Sequence, residues 1–212
     1  MDVVVAGGHG KVGIALLRLL AGGGHRARGL IRNPDQARDL EEAGAEPVLC
    51  DMEALDDISG CCEGADAVVF AAGAGPGSGP ERKRTVDYGG AVKLIEAAER
   101  NGIQRYVIVS AISAGRPEEW SEEMRPYYEA KADADNSLAG SGLDYTIVRP
   151  GGLTDDPGTG LVRVGTNLER GSIPREDVAA VVLAALETPG SIGKTFELVA
   201  GDTPVEEAVR GL

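Results

Sequence analysis

Residues 2–13, DVVVAGGHGKVG, set an apolar run, a glycine-rich turn and the start of an amphipathic segment back to back, an order that few folds accept. The run Asp2 to Ala6 reads as a strand, and Val12, Ile14, Ala15, Leu16, Leu19 and Leu20 recur at near-helical spacing within Lys11 to Ala21. Gly7, Gly10 and Gly13 stand between the two. At such a junction one glycine permits the tight turn, one leaves no Cβ between backbone and phosphate, and one lets helix and strand pack closely. Free N–H groups and the positive end of the helix then face the turn. The spacing is G-x-x-G-x-x-G, so the strand before and the helix after carry the reading. A pyrophosphate is expected over Gly7, Gly8, His9, Gly10, Lys11, Val12 and Gly13, with a ligand-free βα turn as the plain alternative. His9 is read as present for its backbone.

The same alternation continues along the chain. Strands are predicted at 27–31, 46–50, 65–72, 105–110, 144–149, 161–164 and 194–200, and helices at 34–42, 54–62, 85–100, 124–139, 177–186 and 205–209. The pattern predicts one Rossmann-type α/β domain over residues 1–212, with a mostly parallel, doubly wound sheet, helices on both faces and the glycine loop at its carboxyl edge. The stretch GAGPGSGP, residues 73–80, is too glycine-rich to pack a core. It is either a flap over a site or a flexible connection.

Thirty-one glycines and eight aromatics among 212 residues fit an aliphatic core with many turns. A formal net charge of -13 opposes nucleic acid and anionic lipid as partners, so a small-molecule substrate is expected. The basic cluster Arg82, Lys83, Arg84 reads as a solvated face, as do the acidic pairs Asp155, Asp156 and Glu122, Glu123. The three cysteines lack disulfide or zinc spacing and are read as structural thiols; no metal site is expected. Met1 leads directly into the first strand pattern without a secretory signal, and a cytoplasmic location is expected. Oligomeric state is left open.

The end of the second strand bears on the ligand. NAD-preferring domains place a carboxylate there to accept from the adenine ribose, whereas this chain has Arg32, followed by Asn33. A guanidinium pairs bidentately with the 2′-phosphate of NADP, and NADP(H) is therefore expected in preference to NAD(H).

The segments VVVAGGHGKVG, LIRNPDQ, ADAVVFAAG, YYEAK, SGLDYTIVRPGGLTDDPGTG and IGKTFELVAGDTP together resemble the atypical short-chain dehydrogenase/reductases of the NmrA-like and biliverdin-reductase-B-like NAD(P)H-binding group. The resemblance covers nearly the whole chain. It implies the adenine edge at Asp51 and Met52, and the nicotinamide side at Ala71, Ala72, Gly73 and the turn Pro150, Gly151, Gly152, Leu153. Tyr127 and Lys131 match the family's Y-x-x-x-K. Four residues apart on a helix they share a face, where the ammonium can lower the phenol's pKa and hold the ribose while the tyrosine exchanges a proton with substrate. The family's substrate-orienting serine has no clear match in VSAIS. Ser110 is the catalytic candidate, one position early, with Ser113 late and Ala111 and Ile112 between. Trp120, Met124 and Tyr128 either wall a substrate pocket or simply pack. Three functions follow: an NADP(H)-dependent reductase of a small carbonyl, quinone, flavin or conjugated substrate; a nucleotide-sugar epimerase or dehydratase; and a non-catalytic NADP-state sensor with a protein partner.

Overall fold

The computed structural model describes every residue except Pro76. Its strands are β1 (Asp2–Ala6), β2 (Arg26–Ile31), β3 (Glu46–Leu49), β4 (Ala67–Phe70), β5 (Arg105–Val109), β6 (Asp144–Pro150), β7 (Gly152–Thr154), β8 (Leu161–Gly165), β9 (Ser172–Pro174), β10 (Lys194–Ala200) and β11 (Thr203–Pro204). Among the described residues nine strands form one sheet in the order β11-β8-β10-β6-β5-β4-β1-β2-β3, while β7 pairs with β9 alone. Every pairing from β10 across to β3 is parallel. Only β8, against β10 and β11, runs antiparallel in that sheet. The chain is thus a single α/β domain with a mostly parallel sheet, as its alternating pattern predicts.

The helices are α1 (Lys11–Gly22), α2 (Ala37–Glu42), α3 (Pro80–Arg82), α4 (Ala91–Arg100), α5 (Arg125–Ala139), α6 (Arg175–Glu187) and α7 (Val205–Arg210). Strand period divides the core. On β1, Val3 and Val5 enter a cluster with Leu16, Leu17, Val178 and Val182 from α1 and α6. Val4 and Ala6 point the other way, into a cluster with Leu94, Ala98, Ala134 and Leu138 from α4 and α5. Burial on both faces explains why this strand reads as an unbroken apolar run.

Three local expectations are corrected. The helix expected at 54–62 is reduced to a 3-10 turn at Ser59–Cys62. Upstream, Asp51 Oδ1 accepts the N–H groups of Glu53 and Ala54, and Asp57 Oδ1 accepts that of Ser59, so side chains take the backbone donors in place of a helix. The helix expected from Thr85 begins earlier, with Pro80 in the first turn of α3, and passes through a π-helical stretch, Lys83–Gly90, before α4. The loop expected at 151–160 contains β7, paired with β9. The flap or connection at 73–80 includes Pro76 and lies partly outside the described residues. No described helix is long and apolar enough to cross a membrane. Cys50 and Cys62 are buried, and burial pushes the Cys62 thiol up to about 12.

Two glycines fix how β1 meets its neighbours. Gly7 has φ +83°, and a Cβ there would lie 2.7 Å from Ala72 Cα. A Cβ on Gly13 would lie 2.2 Å from Gly7 O, inside any van der Waals contact. Gly13→Ala should therefore cost about 1–3 kcal/mol through forced backbone shifts. Gly22, at the end of α1, is different: a Cβ there would meet nothing within 4 Å. Gly22→Ala should be neutral or stabilise by up to about 1 kcal/mol. Thermal or denaturant unfolding of both variants checks the contrast; equal effects would contradict it.

Candidate functional site

Strand order reverses between β1 and β4, leaving a crevice at the carboxyl ends of the strands. A cleft of about 250 Å³ opens there, lined by the glycine loop at Gly7, His9 and Gly10, the end of β2 at Leu30 to Arg32, residues 50–53 after β3, and Ala71 to Ala74 after β4. Gly10 caps α1 without a side-chain hydrogen bond, and the first turn of α1 holds no acidic residue. The free N–H groups of that turn thus remain available to an anion. This uncapped end suits the pyrophosphate of a dinucleotide.

Several residues behave differently from their sequence reading. The His9 ring does more than occupy a backbone position: Nε2 lies 2.6 Å from Asp39 Oδ2 and Nδ1 3.1 Å from Gln36 Nε2. Gln36 in turn bonds the Asn33 N–H, and the Asn33 side chain accepts from Asp35 N, so Asn33 caps a turn beside the cleft. Lys11 is held at 2.5 Å by Asp155, which also binds Arg175 at 2.5 Å. Asp155 is accordingly not merely solvated. The Lys11 hydrogen bond, with Arg175, holds its carboxyl below the usual carboxylate range. Val12 is buried under the loop, in the α1–α6 core cluster.

At the other end of the cleft, Arg32 donates to Glu53 Oε2 at 3.3 Å and Arg82 donates to the same oxygen at 3.2 Å. Thr85 Oγ1 donates to Oε1 at 3.1 Å. Arg82, read from sequence as part of a solvated face, therefore lines the cleft with Arg32, Asp51 and Met52. No local pattern signals this, because the two arginines are fifty positions apart and meet only through Glu53.

Ala71, Ala72 and Gly73 line the cleft as well, but Pro150 to Leu153 do not. The Gly151 N–H bonds Leu198 O and that of Gly152 bonds Gly171 O, both at 2.9 Å, so these groups are spent on the sheets.

Tyr127 and Lys131 share the inward face of α5, with Nζ 5.9 Å from the phenol ring centroid. Lys131 is buried, and its ammonium lies 3.2 Å from Asp87 Oδ1, 3.2 Å from Val109 O and 3.4 Å from Ala72 O. Burial opposes its charge, but Tyr127 and Asp87 together hold the ammonium above its ordinary pKa. The Tyr127 phenol is not acidified as Y-x-x-x-K implies. Burial pushes it up, and the downward pull of Lys131 does not reverse that. Ser110 is buried and donates to Asp135 Oδ2 at 2.9 Å, the oxygen that also accepts from Arg149 Nε at 2.9 Å. Its hydroxyl is committed to this pair and is not among the cleft-lining groups. Trp120 stacks on Tyr128 at 6.1 Å, Tyr128 lies 5.2 Å from the Tyr127 ring, and the indole N–H bonds Ser113 O. The aromatics thus form one cluster at the start of α5.

Residues 7–189 match the model of an NAD(P)H-binding family. The chain is 44% identical to an uncharacterized sugar epimerase, YhfK, of Bacillus subtilis, over the full length of both. A solved structure from Bacillus halodurans, provisionally named an NAD-dependent epimerase/dehydratase, superposes with a TM-score of 0.95 at 41% identity, covering 100% of both chains. The anaerobillin reductase ChuY of Escherichia coli O157:H7 gives 0.81 at 26% identity over 94% of this chain and 97% of its own. With the cleft, the uncapped helix and the strand order already in place, these likenesses agree on one conclusion: the chain belongs to the NAD(P)H-binding family of Rossmann proteins.

Proposed function

We propose that the protein is an NADP(H)-dependent oxidoreductase acting on a small carbonyl, quinone, flavin or conjugated substrate. The observation that carries the NADP preference is the convergence of Arg32 and Arg82 on one oxygen of Glu53. Two guanidiniums held around an anion are a ready receptor for a phosphate. Both arginines are substantially exposed, so the ion pairs they would give up are worth only about 0–1 kcal/mol each. A charge-assisted bond to phosphate contributes about 1.5–3 kcal/mol and wins the exchange.

In this reading the free N–H groups of the glycine loop and α1 hold the pyrophosphate, Asp51 and Met52 border the adenine, and Ala71 to Gly73 border the nicotinamide. A bound reduced nicotinamide supplies a hydride. Tyr127 supplies the accompanying proton to substrate oxygen, and Trp120 and Tyr128 give the neighbouring surface an apolar wall. The net charge of -13 supports a small-molecule substrate over nucleic acid or an anionic membrane.

A second reading, a dinucleotide-state sensor that acts through a protein partner, is favoured by one observation: the Ser110 hydroxyl is tied to Asp135 and unavailable to orient a substrate oxygen. Turnover on a carbonyl and quinone panel separates the two. Under the reductase reading, Tyr127→Phe lowers turnover about 10²-fold and leaves dinucleotide affinity within a few-fold; unchanged turnover removes Tyr127 from the chemistry. Arg32→Ala and Arg82→Ala should each weaken NADPH by about tenfold or more, and NADH by little, with the difference shrinking as salt rises. Fluorescence titration of both cofactors measures this, and equal affinities in the unmodified protein would refute the NADP preference.

A further inference from the structure

The helical segment that leads into α4 widens to π-helical geometry over Lys83–Gly90, and this stretch carries a fully buried carboxylate, Asp87. Wide helical turns of this kind are often kept where a side chain must be aimed at a site. Asp87 Oδ2 accepts the N–H of Ala74 at 3.1 Å, the last of the cleft-lining residues Ala71 to Ala74. Its Oδ1 lies 3.2 Å from Lys131 Nζ as an ion pair and, among the described residues, receives no hydrogen bond of good geometry. The Lys131 ammonium donates to Val109 O and Ala72 O and is paired with Asp87 by charge. Asp87 therefore joins the lysine, the end of β4 and the following loop in one buried unit.

We propose that Asp87 is a positioning residue that pairs with Lys131 and pins it against the ends of β4 and β5, beside Tyr127, and so tempers the lysine's pull on the phenol. This rests on the reading of Tyr127 as the proton donor. The groups facing Tyr127 are Lys131, Asp87, Tyr128 and Asp135. Two of the charged groups among them have a counter-ion in place: Lys131 is paired with Asp87, and Asp135 with Arg149. Burial of the phenol is the largest influence and favours the protonated form; Lys131 opposes it and does not prevail. In the reductive direction a bound reduced nicotinamide would supply hydride to a carbonyl carbon, and Tyr127 would give its proton to the carbonyl oxygen. The phenol O–H bond breaks, the alcohol O–H bond forms, and the phenolate left behind is reprotonated from solvent.

The test needs no substrate. Ultraviolet absorbance of ionised tyrosine, followed as pH rises, contains contributions from five tyrosines, and the component lost in Tyr127→Phe belongs to Tyr127. In Asp87→Asn the unmatched Lys131 charge should move that component down by about one pH unit or more. No movement in a folded Asp87→Asn protein overturns the proposal. The double variant Asp87→Asn, Lys131→Gln removes both charges with little change of shape and is the safeguard if the single variant does not fold. There the component should stay within about half a pH unit of the unmodified protein; a displacement of one unit or more in either direction overturns the proposal. Failure of the donor reading is seen separately, as unchanged turnover in Tyr127→Phe.

Discussion

The absence of side chains where β1 ends is the constraint on which the site depends. Gly7 sits against the backbone of Ala72, Gly13 against the carbonyl of Gly7, and a Cβ on Gly8 would lie 2.8 Å from Gly29 Cα. These approaches bring β1, β2, β4 and α1 together so closely that backbone, not side chain, lines the start of the cleft. A backbone lining has fixed donors that require no reorganisation when an anion arrives. The same approaches bring the switch in strand order and the uncapped end of α1 to one place.

Charge is distributed against the overall balance. The chain is strongly acidic, yet the cations near the cleft are already matched: Arg32 and Arg82, which line it, by Glu53, and Lys11, at the start of α1, by Asp155. Such matching holds long side chains in place before any ligand binds. In the interior the logic changes. The Lys131 and Asp87 charges are removed from water, and each depends on its partner to avoid the several kcal/mol that an isolated buried ion costs.

Much of this is legible in the order of residues alone. The apolar run of β1, the glycines after it and the periodicity of α1 are local signals, and local signals report strand, turn and helix directly. Arg32 is legible because its place, one residue beyond a strand, is fixed by that strand. Arg82, Glu53 and Asp87 are not, since each acquires its meaning from a contact with a residue far away in sequence. The helix expected at 54–62 and not formed has a different cause: Asp51 and Asp57 compete for backbone donors through their own side chains, a preference that apolar spacing does not register. Ser110 does follow β5, but its hydroxyl direction depends on Asp135, which no reading of the strand alone could supply.

The packing of α1 has a consequence for how the chain is made. Although α1 follows the first strand, it rests on α6, residues 175–187, and β1 is bordered by β4 on the side away from β2. The glycine loop and α1 are synthesised well before residues 175–187, so α1 gains this neighbour only once α6 has left the ribosome. Until then the side of α1 that faces α6 is uncovered, although β1, β2 and α2 already border its other side. Long-range closure of this kind slows folding and exposes sticky surface during synthesis. The nascent chain is therefore most vulnerable to aggregation, and most in need of chaperones, in the interval between the emergence of its first helix and its sixth.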